Sequence, residues 1–273
     1  IRTKIVPFFG PKRMCDITPK DVVDWQNRMV GSYDDEGKPY SGTYLRTINN
    51  QLSAIFNHAV KYYGLGKSPA TPTIKIGERK GAEMRFWTKE QYLAFSEEVM
   101  DKPASFYAFE ILYWCGLRVG ELLALEPNDI DLGKCLIHVT KSYQRIKRRD
   151  VVTSPKTPKS KRDVVMPEFL ADELADFLGS IPEERRACRI FCFTKSYLHH
   201  EMKRGCAACG LEPIRIHDLR HSHVSLLIEM GFSAIAIADR LGHETYEMTL
   251  RYAHLFPSKQ SDMAAALDQG RRP

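Results

Sequence analysis

The stretch "HDLRHSHVSLLIEMG" at 217–231 puts reactive side chains where a helix would ordinarily bury carbon. Val224, Leu227 and Ile228 recur at helical spacing and define an apolar stripe. Followed backwards in threes and fours, the stripe continues through His221, Arg220 and His217. At i and i+3, His217 and Arg220 share a face beside a helix N-terminus, where free N–H groups and the helix dipole favour an anion. The Arg220 guanidinium offers a planar fork matched to phosphate oxygens. These two residues alone fit a phosphate site and a capped, ion-paired helix start equally well.

A second stretch shifts the balance. In "ILYWCGLRVGELLAL" (111–125), Arg118 is the one cation and Glu121 the one anion. Burying an arginine costs several kcal/mol unless it is paired and hydrogen-bonded. The pair reads either as a buried bridge with no other role, or as Glu121 orienting Arg118 while the remaining N–H donors face a ligand, which with Arg220 would make a two-arginine phosphate clamp. Further on, "RLGHETYEMTLRYAHLF" (240–256) ends one helix at Gly242, sets His243 in the turn and carries Tyr252 on the next helix. Taken singly, that histidine and that tyrosine read as ordinary core residues.

The charge distribution points the same way. The chain has a net charge of +6, and 141–162 holds nine of the cations (Lys141, Arg145, Lys147, Arg148, Arg149, Lys156, Lys159, Lys161, Arg162) against one anion, Asp150. So dense a run reads as a surface that tracks phosphates. No acidic cluster suited to Mg²⁺ stands out, and no P-loop is present. Seven cysteines, an odd number scattered along the chain, argue against a disulfide framework. "CAAC" (206–209) has ligand spacing, but "CRIFC" (188–192) reads as a strand with both thiols on one side, too far apart for a zinc knuckle. No metal site is therefore expected.

The elements that must position these residues are legible in outline. Hydrophobic residues at 43% and charged residues at 27% match a globular protein, and no apolar run is long enough to span a bilayer. Residues 1–66 read as helical: a short helix to Gly10, one capped by Thr18 with Pro19 at its first position, and a long one opened by Ser41. Leu45, Ile48, Leu52, Ile55, Phe56 and Val60 form the stripe of that long helix. Residues 67–86, rich in Pro, Gly and Lys, read as a linker. Thr88 and Gln91 have capping-box spacing. "CLIHVTKSYQRI" and "RDVVMP" read as strands flanking the basic loop in one small antiparallel sheet. Helices are expected near 168–178, 195–209, 217–230, 233–241 and 245–255, with a tail near 258–268.

"GLRVGE", "KTPKSKR", "HDLRH", "LGH" and a tyrosine nine residues beyond that histidine occur in this order. Together they resemble the tyrosine recombinase (phage integrase) family, in particular integrases of temperate phages and conjugative transposons of Gram-positive bacteria. The resemblance covers essentially the whole chain, with "YSGTYLRTINNQLSAIFNHAVKYYGL" similar to the family's helical core-binding domain. It implies a mainly α fold with a small antiparallel β-sheet, in two domains: a core-binding domain at 1–66, a linker at 67–86, and an α+β catalytic domain at 87–256. A tail helix at 257–273 would pack on a neighbouring protomer.

The resemblance also implies roles. Arg118 and Arg220 would bind the non-bridging oxygens of the scissile phosphate. Tyr252 would be the nucleophile, leaving a 3′-phosphotyrosyl link and a free 5′-hydroxyl. Lys156 would protonate the departing 5′-oxygen. His217 would assist proton transfer from the tyrosine and contact the phosphate, His243 would donate to a phosphate oxygen, and Glu121 would support Arg118. No motif position departs from the pattern, which implies an active enzyme. The covalent ester keeps the bond energy for rejoining, so no ATP, metal or other cofactor is called for.

The implied partners are double-stranded DNA attachment sites, a homo-tetramer on that DNA and accessory DNA-bending proteins, with no membrane, in the cytoplasm of a bacterial host at its nucleoid. A start at Ile1 without an initiator methionine reads as a fragment lacking an N-terminal arm-binding domain. Three other readings compete: a type IB topoisomerase, a catalytically silent DNA-binding regulator on the same fold, and a zinc-binding helical protein without DNA.

Overall fold

Two compact units, Ile1–Glu83 and Met84–Pro273, make up the chain. The computed structural model describes residues 1–77, 84–155, 158–185, 188–245, 247–250 and 252.

In the first unit, local signals set the helix ends. Helix α1 spans Val6–Phe9 and α2 spans Pro19–Val30. The Thr18 hydroxyl accepts from the Asp21 N–H, and the Asp21 carboxylate accepts from the Thr18 N–H at 2.8 Å, satisfying two otherwise orphaned donors. Ser41 caps α3, Gly42–Tyr62, by accepting from the Tyr44 N–H. The apolar faces close on Phe9, Trp25, Leu52 and Phe56, with the Phe9 ring 5.9 Å from Trp25 and 6.0 Å from Phe56. Part of the segment expected to be a free linker belongs to this unit. Ala70 and Ile76 pack on its core, and Gln26 donates to the Ile74 carbonyl at 2.8 Å.

The second unit opens with α4, Lys89–Glu97, capped reciprocally by Thr88 and Gln91, followed by α5, Pro103–Trp114, and α6, Val119–Leu122. Five strands follow: β1 Ile130–Asp131, β2 Leu136–Val139, β3 Ser142–Ile146, β4 Arg149–Thr153 and β5 Arg162–Val165. Helices then continue as α7 Glu168–Gly179, α8 Lys195–Cys209, α9 Asp218–Glu229, α10 Ala234–Leu241 and α11 Glu247–Leu250. Helix α5 is apolar nearly all round because it runs through the core, where Phe109, Ile111 and Leu112 are fully buried.

The strands are arranged differently from the single sheet expected. "CLIHVTKSYQRI" splits at Thr140–Lys141 into β2 and β3, which lie in separate sheets. One is three-stranded in the order β1-β2-β5, antiparallel, with Leu136 opposite Val165 and Val139 opposite Arg162. The other is a β3–β4 hairpin pairing Ser142 with Thr153 and Ile146 with Arg149. Much of the basic "loop" is therefore strand. Its two-residue turn places Lys147 and Arg148 at φ of 48° and 66°, the left-handed turn that matches strand twist.

"CRIFC" is also not a strand. It is held by the Ile190 N–H on the Leu125 carbonyl at 2.8 Å and by Arg189 on the Leu123 and Phe191 carbonyls, with Cys188 and Cys192 exposed. All seven cysteines are free. Among the described residues, no group of three or more His, Cys, Asp or Glu could hold a metal ion, and no helix is long and apolar enough to cross a membrane. The tail expected at 257–273 and the linker positions 78–83 lie outside the described residues.

Candidate active site

The site is built around the turn that leaves α5. Gly116 sits at φ +66°, and a Cβ there would meet the His223 ring at 2.5 Å and Leu241 at 3.0 Å, so only glycine fits. Two residues on, Arg118 begins α6. Its backbone N–H donates to Glu121 Oε2 at 2.9 Å and its Nη1 to Oε1 at 2.7 Å. Glu121 is buried, while the Arg118 side chain keeps 32% of its surface. The expected Arg118–Glu121 pair is thus present, with the arginine facing outward.

Glu121 has a second partner. Arg162 donates from Nη2 to Oε2 at 2.9 Å and from Nη1 to Oε1 at 3.2 Å, and its Nε donates to the Arg240 carbonyl at 3.0 Å. Burial by itself would raise the Glu121 carboxyl, but Arg162 and Arg118 override it and hold it below the usual range. The Arg162 side chain is only 7% exposed. It was expected on a DNA-tracking surface; the structure places it inside, as a brace under Arg118. Strand β5 explains this, because its pleat turns Arg162 inward.

Arg220 lies deeper. On the first turn of α9, its Nη1 donates to the Gly116 carbonyl at 2.6 Å and its Nη2 to the Leu241 carbonyl at 2.7 Å. No carboxylate among the described residues stands within ion-pair distance of it. Burial, and next the neighbouring Arg118, push its pKa down. A cation held by carbonyl dipoles, with Glu121 acting on it only at a distance, has no direct ion-pair partner and keeps its remaining N–H donors in a fixed plane.

The histidines crowd this cation. His217 is the N-cap residue of α9, with its side chain making no cap hydrogen bond and an edge open to solvent. Partial burial, then His221 and Arg220, lower its pKa to about 4. His243 follows Gly242, which closes α10 in the left-handed conformation and lets the Lys159 carbonyl approach where a Cβ would stand. His243 is buried, shares a 2.8 Å hydrogen bond with Thr249 Oγ1, and is lowered to about 3 by burial, then Arg220 and Arg118. Both imidazoles are therefore neutral near neutral pH, because burial first and the neighbouring cations second disfavour the charged form.

Tyr252 is buried, with its hydroxyl hydrogen-bonded to His221 Nδ1. The His217 and His221 rings meet edge-on with centroids 5.1 Å apart, and His221 lies 5.6 Å from the Tyr252 ring. His221 stood on the stripe read from sequence but was given no role; its signal was its spacing from Asp218, one helical turn back.

The structure thus brings Arg118, Glu121, His217, Arg220, His243 and Tyr252 into one neighbourhood, with Arg162 and His221 added. Lys156 falls outside the described residues. A cleft of about 350 Å³ lined by Arg118, Ser142, Gln144, Thr153, Ser160 and Gly242 opens over the site.

The remaining cations divide. Arg145, Lys147, Arg148, Arg149, Lys159 and Lys161 are exposed. Lys141 differs from expectation: its ammonium binds Glu126 at 2.6 Å and Asp129 at 3.0 Å, and it serves the fold at the crossing between the two sheets.

The chain is similar to known proteins. Residues 85–259 match the phage integrase family, and residues 1–30 match the phage integrase N-terminal SAM-like domain. The chain is 31% identical over 288 residues to the ICEBs1 integrase of Bacillus subtilis, covering 98% of this chain and 75% of that protein. It is 27% identical over 278 residues to the integrase of Mycobacterium phage D29, covering 98% and 71%. The Tn1549 transposon integrase, solved in complex with a circular intermediate DNA, superposes with a TM-score of 0.73 at 19% identity over 94% of this chain and 86% of that one. Nothing among these matches supports a topoisomerase or a silent regulator. A motif set in order, a shared fold and a convergent arginine–histidine–tyrosine site agree: the chain belongs to the phage integrase family and is a tyrosine site-specific recombinase.

Proposed function

We propose that this recombinase cuts and rejoins duplex DNA at the attachment sites of a mobile element, with Tyr252 forming a transient 3′-phosphotyrosyl link. The observation that carries the assignment of roles is Arg220, a buried cation fixed by two backbone carbonyls beside Arg118. A buried charge without a direct ion pair is costly, and an incoming phosphate would relieve that cost.

Arg118 and Arg220 grip the non-bridging oxygens and stabilise the charge that builds in the pentacoordinate transition state. Glu121, braced by Arg162, holds the Arg118 fork in plane. His243 and His217, neutral before DNA arrives, donate to phosphate oxygens. Lys156 supplies the proton for the leaving 5′-oxygen. The exposed cations of the β3–β4 hairpin, with Lys159 and Lys161, add sequence-independent affinity for the backbone. On DNA the working assembly is a tetramer, in the bacterial cytoplasm at the nucleoid.

The direct test is a nicked duplex whose cleavage releases a short fragment and traps the covalent adduct. An adduct that survives denaturing gel electrophoresis and disappears in Tyr252→Phe is the expected result. An adduct that persists in Tyr252→Phe would overturn the assignment of the nucleophile.

A further inference from the structure

We infer that His221, oriented by Asp218, is the base that takes the proton from Tyr252 during attack, in place of the His217 expected from the resemblance. The inference rests on Tyr252 being the nucleophile.

His221 Nδ1 is hydrogen-bonded to the Tyr252 hydroxyl. On the other side of the ring, His221 Nε2 faces Asp218 Oδ1 at 3.8 Å. Asp218 is buried and clasped by Arg215, whose Nε lies 3.1 and 3.0 Å from its two oxygens and whose Nη2 lies 2.8 Å from Oδ1. At 3.8 Å the contact between Asp218 and His221 is electrostatic, not a hydrogen bond, and a negative charge there favours the tautomer with hydrogen on Nε2. The Nδ1 lone pair is then left to accept from the phenol. Asp218 and His221 are one helical turn apart on α9, so a rigid element sets their register. His217 touches His221 edge-on at 5.1 Å.

The step balances. As the Tyr252 oxygen forms its bond to phosphorus and the bond to the 5′-oxygen breaks, the phenolic proton passes to His221 Nδ1. The leaving oxygen takes its proton from the cation on its own side. Asp218 stabilises the resulting imidazolium, and on rejoining His221 returns the proton to Tyr252. Among the described residues, the charged and titratable groups near His221 include Asp218, Arg220 and His217 at the start of α9, with His243 and Tyr252 from beyond α10.

The test uses a nicked duplex captured covalently by the wild-type chain from a randomised-sequence pool, made with an ordinary phosphodiester and with a 5′-bridging sulfur. His221→Asn keeps an acceptor near Nδ1 but no base, and His221→Gln is the second variant where the first does not fold. We expect DNA retention to be unchanged and adduct formation at neutral pH to fall about 100-fold. The deficit should persist with the sulfur leaving group, which needs no proton. It should shrink as the pH climbs towards the phenol range, where the tyrosine ionises without help. A wild-type rate in the variants, a deficit equal at every pH, or full rescue by sulfur would overturn the inference. An adduct that survives Tyr252→Phe would overturn the functional reading beneath it.

Discussion

The arginines beneath the site and the cations of the β3–β4 hairpin belong to the same basic composition, yet they do different physical work. Arg162, Arg220 and Arg240 are sunk among carbonyls and one carboxylate: Arg240 alone donates to the Val165 and Trp114 carbonyls and to His223 Nε2. Arg145, Lys147, Arg148 and Arg149 stand in water on an exposed ribbon. The buried set has been desolvated during folding, so its geometry is fixed in advance, as the proposed grip on a phosphate requires. The exposed set keeps its hydration, and under the same proposal it would act through counterion release, which needs little geometry. Charge counted along the sequence does not distinguish the two.

Breaking the buried set should have the larger effects. Arg162→Ala leaves Glu121 buried with one partner, and should lower unfolding stability in urea by about 3–5 kcal/mol. An unchanged midpoint would mean that Glu121 is not held as described. Arg220→Lys cannot span the Gly116 and Leu241 carbonyls with a planar fork. Adduct formation should fall by about 100-fold with the fold retained, measured as covalent complex per unit time.

Acid sharpens the same contrast. His217, at about 4, and His243 and His223, at about 3, sit below the ordinary imidazole value. The unfolded chain therefore binds more protons than the folded one once the pH drops below the ordinary value. Stability is retained above that value and is lost progressively as pH falls towards the folded values. Each such histidine costs up to about 1.4 kcal/mol per pH unit. His223→Gln should flatten this slope in urea titrations at stepped pH. A slope identical to wild type would show that His223 is not excluded from protonation. The smallest effect belongs to the hairpin. Lys147→Ala with Arg148→Ala should leave stability within about 0.5 kcal/mol and reduce the salt slope of DNA binding by about 2. A loss of cleavage with binding intact would instead place the turn in the chemistry.

Much of the fold was legible because local physics sets it. Thr18, Ser41 and Thr88 announced their helices through side-chain caps that need only neighbours in sequence. Strand β4 was missed because "RDVVT" reads as basic loop until "SYQRI" pairs with it. "CRIFC" alternated like a strand yet has no pairing partner among the described residues, being held by loop carbonyls and the Arg189 side chain instead. In the site, the Arg118–Glu121 pair was readable at i and i+3. The claim of Arg162 on the same carboxylate, 41 residues away, was not.

By itself the sequence determined the inventory: two arginines in apolar settings, the histidines near them, a tyrosine beyond a glycine-closed helix, and the helix starts that carry them. These follow from residue type and short-range spacing, where the energies are local. Only the tertiary structure decided which cations face inward, that Gly116 and Leu241 lend Arg220 their carbonyls, and that His221 meets the Tyr252 hydroxyl. Those outcomes depend on packing between distant segments and on the desolvation it imposes, which no short window of sequence contains.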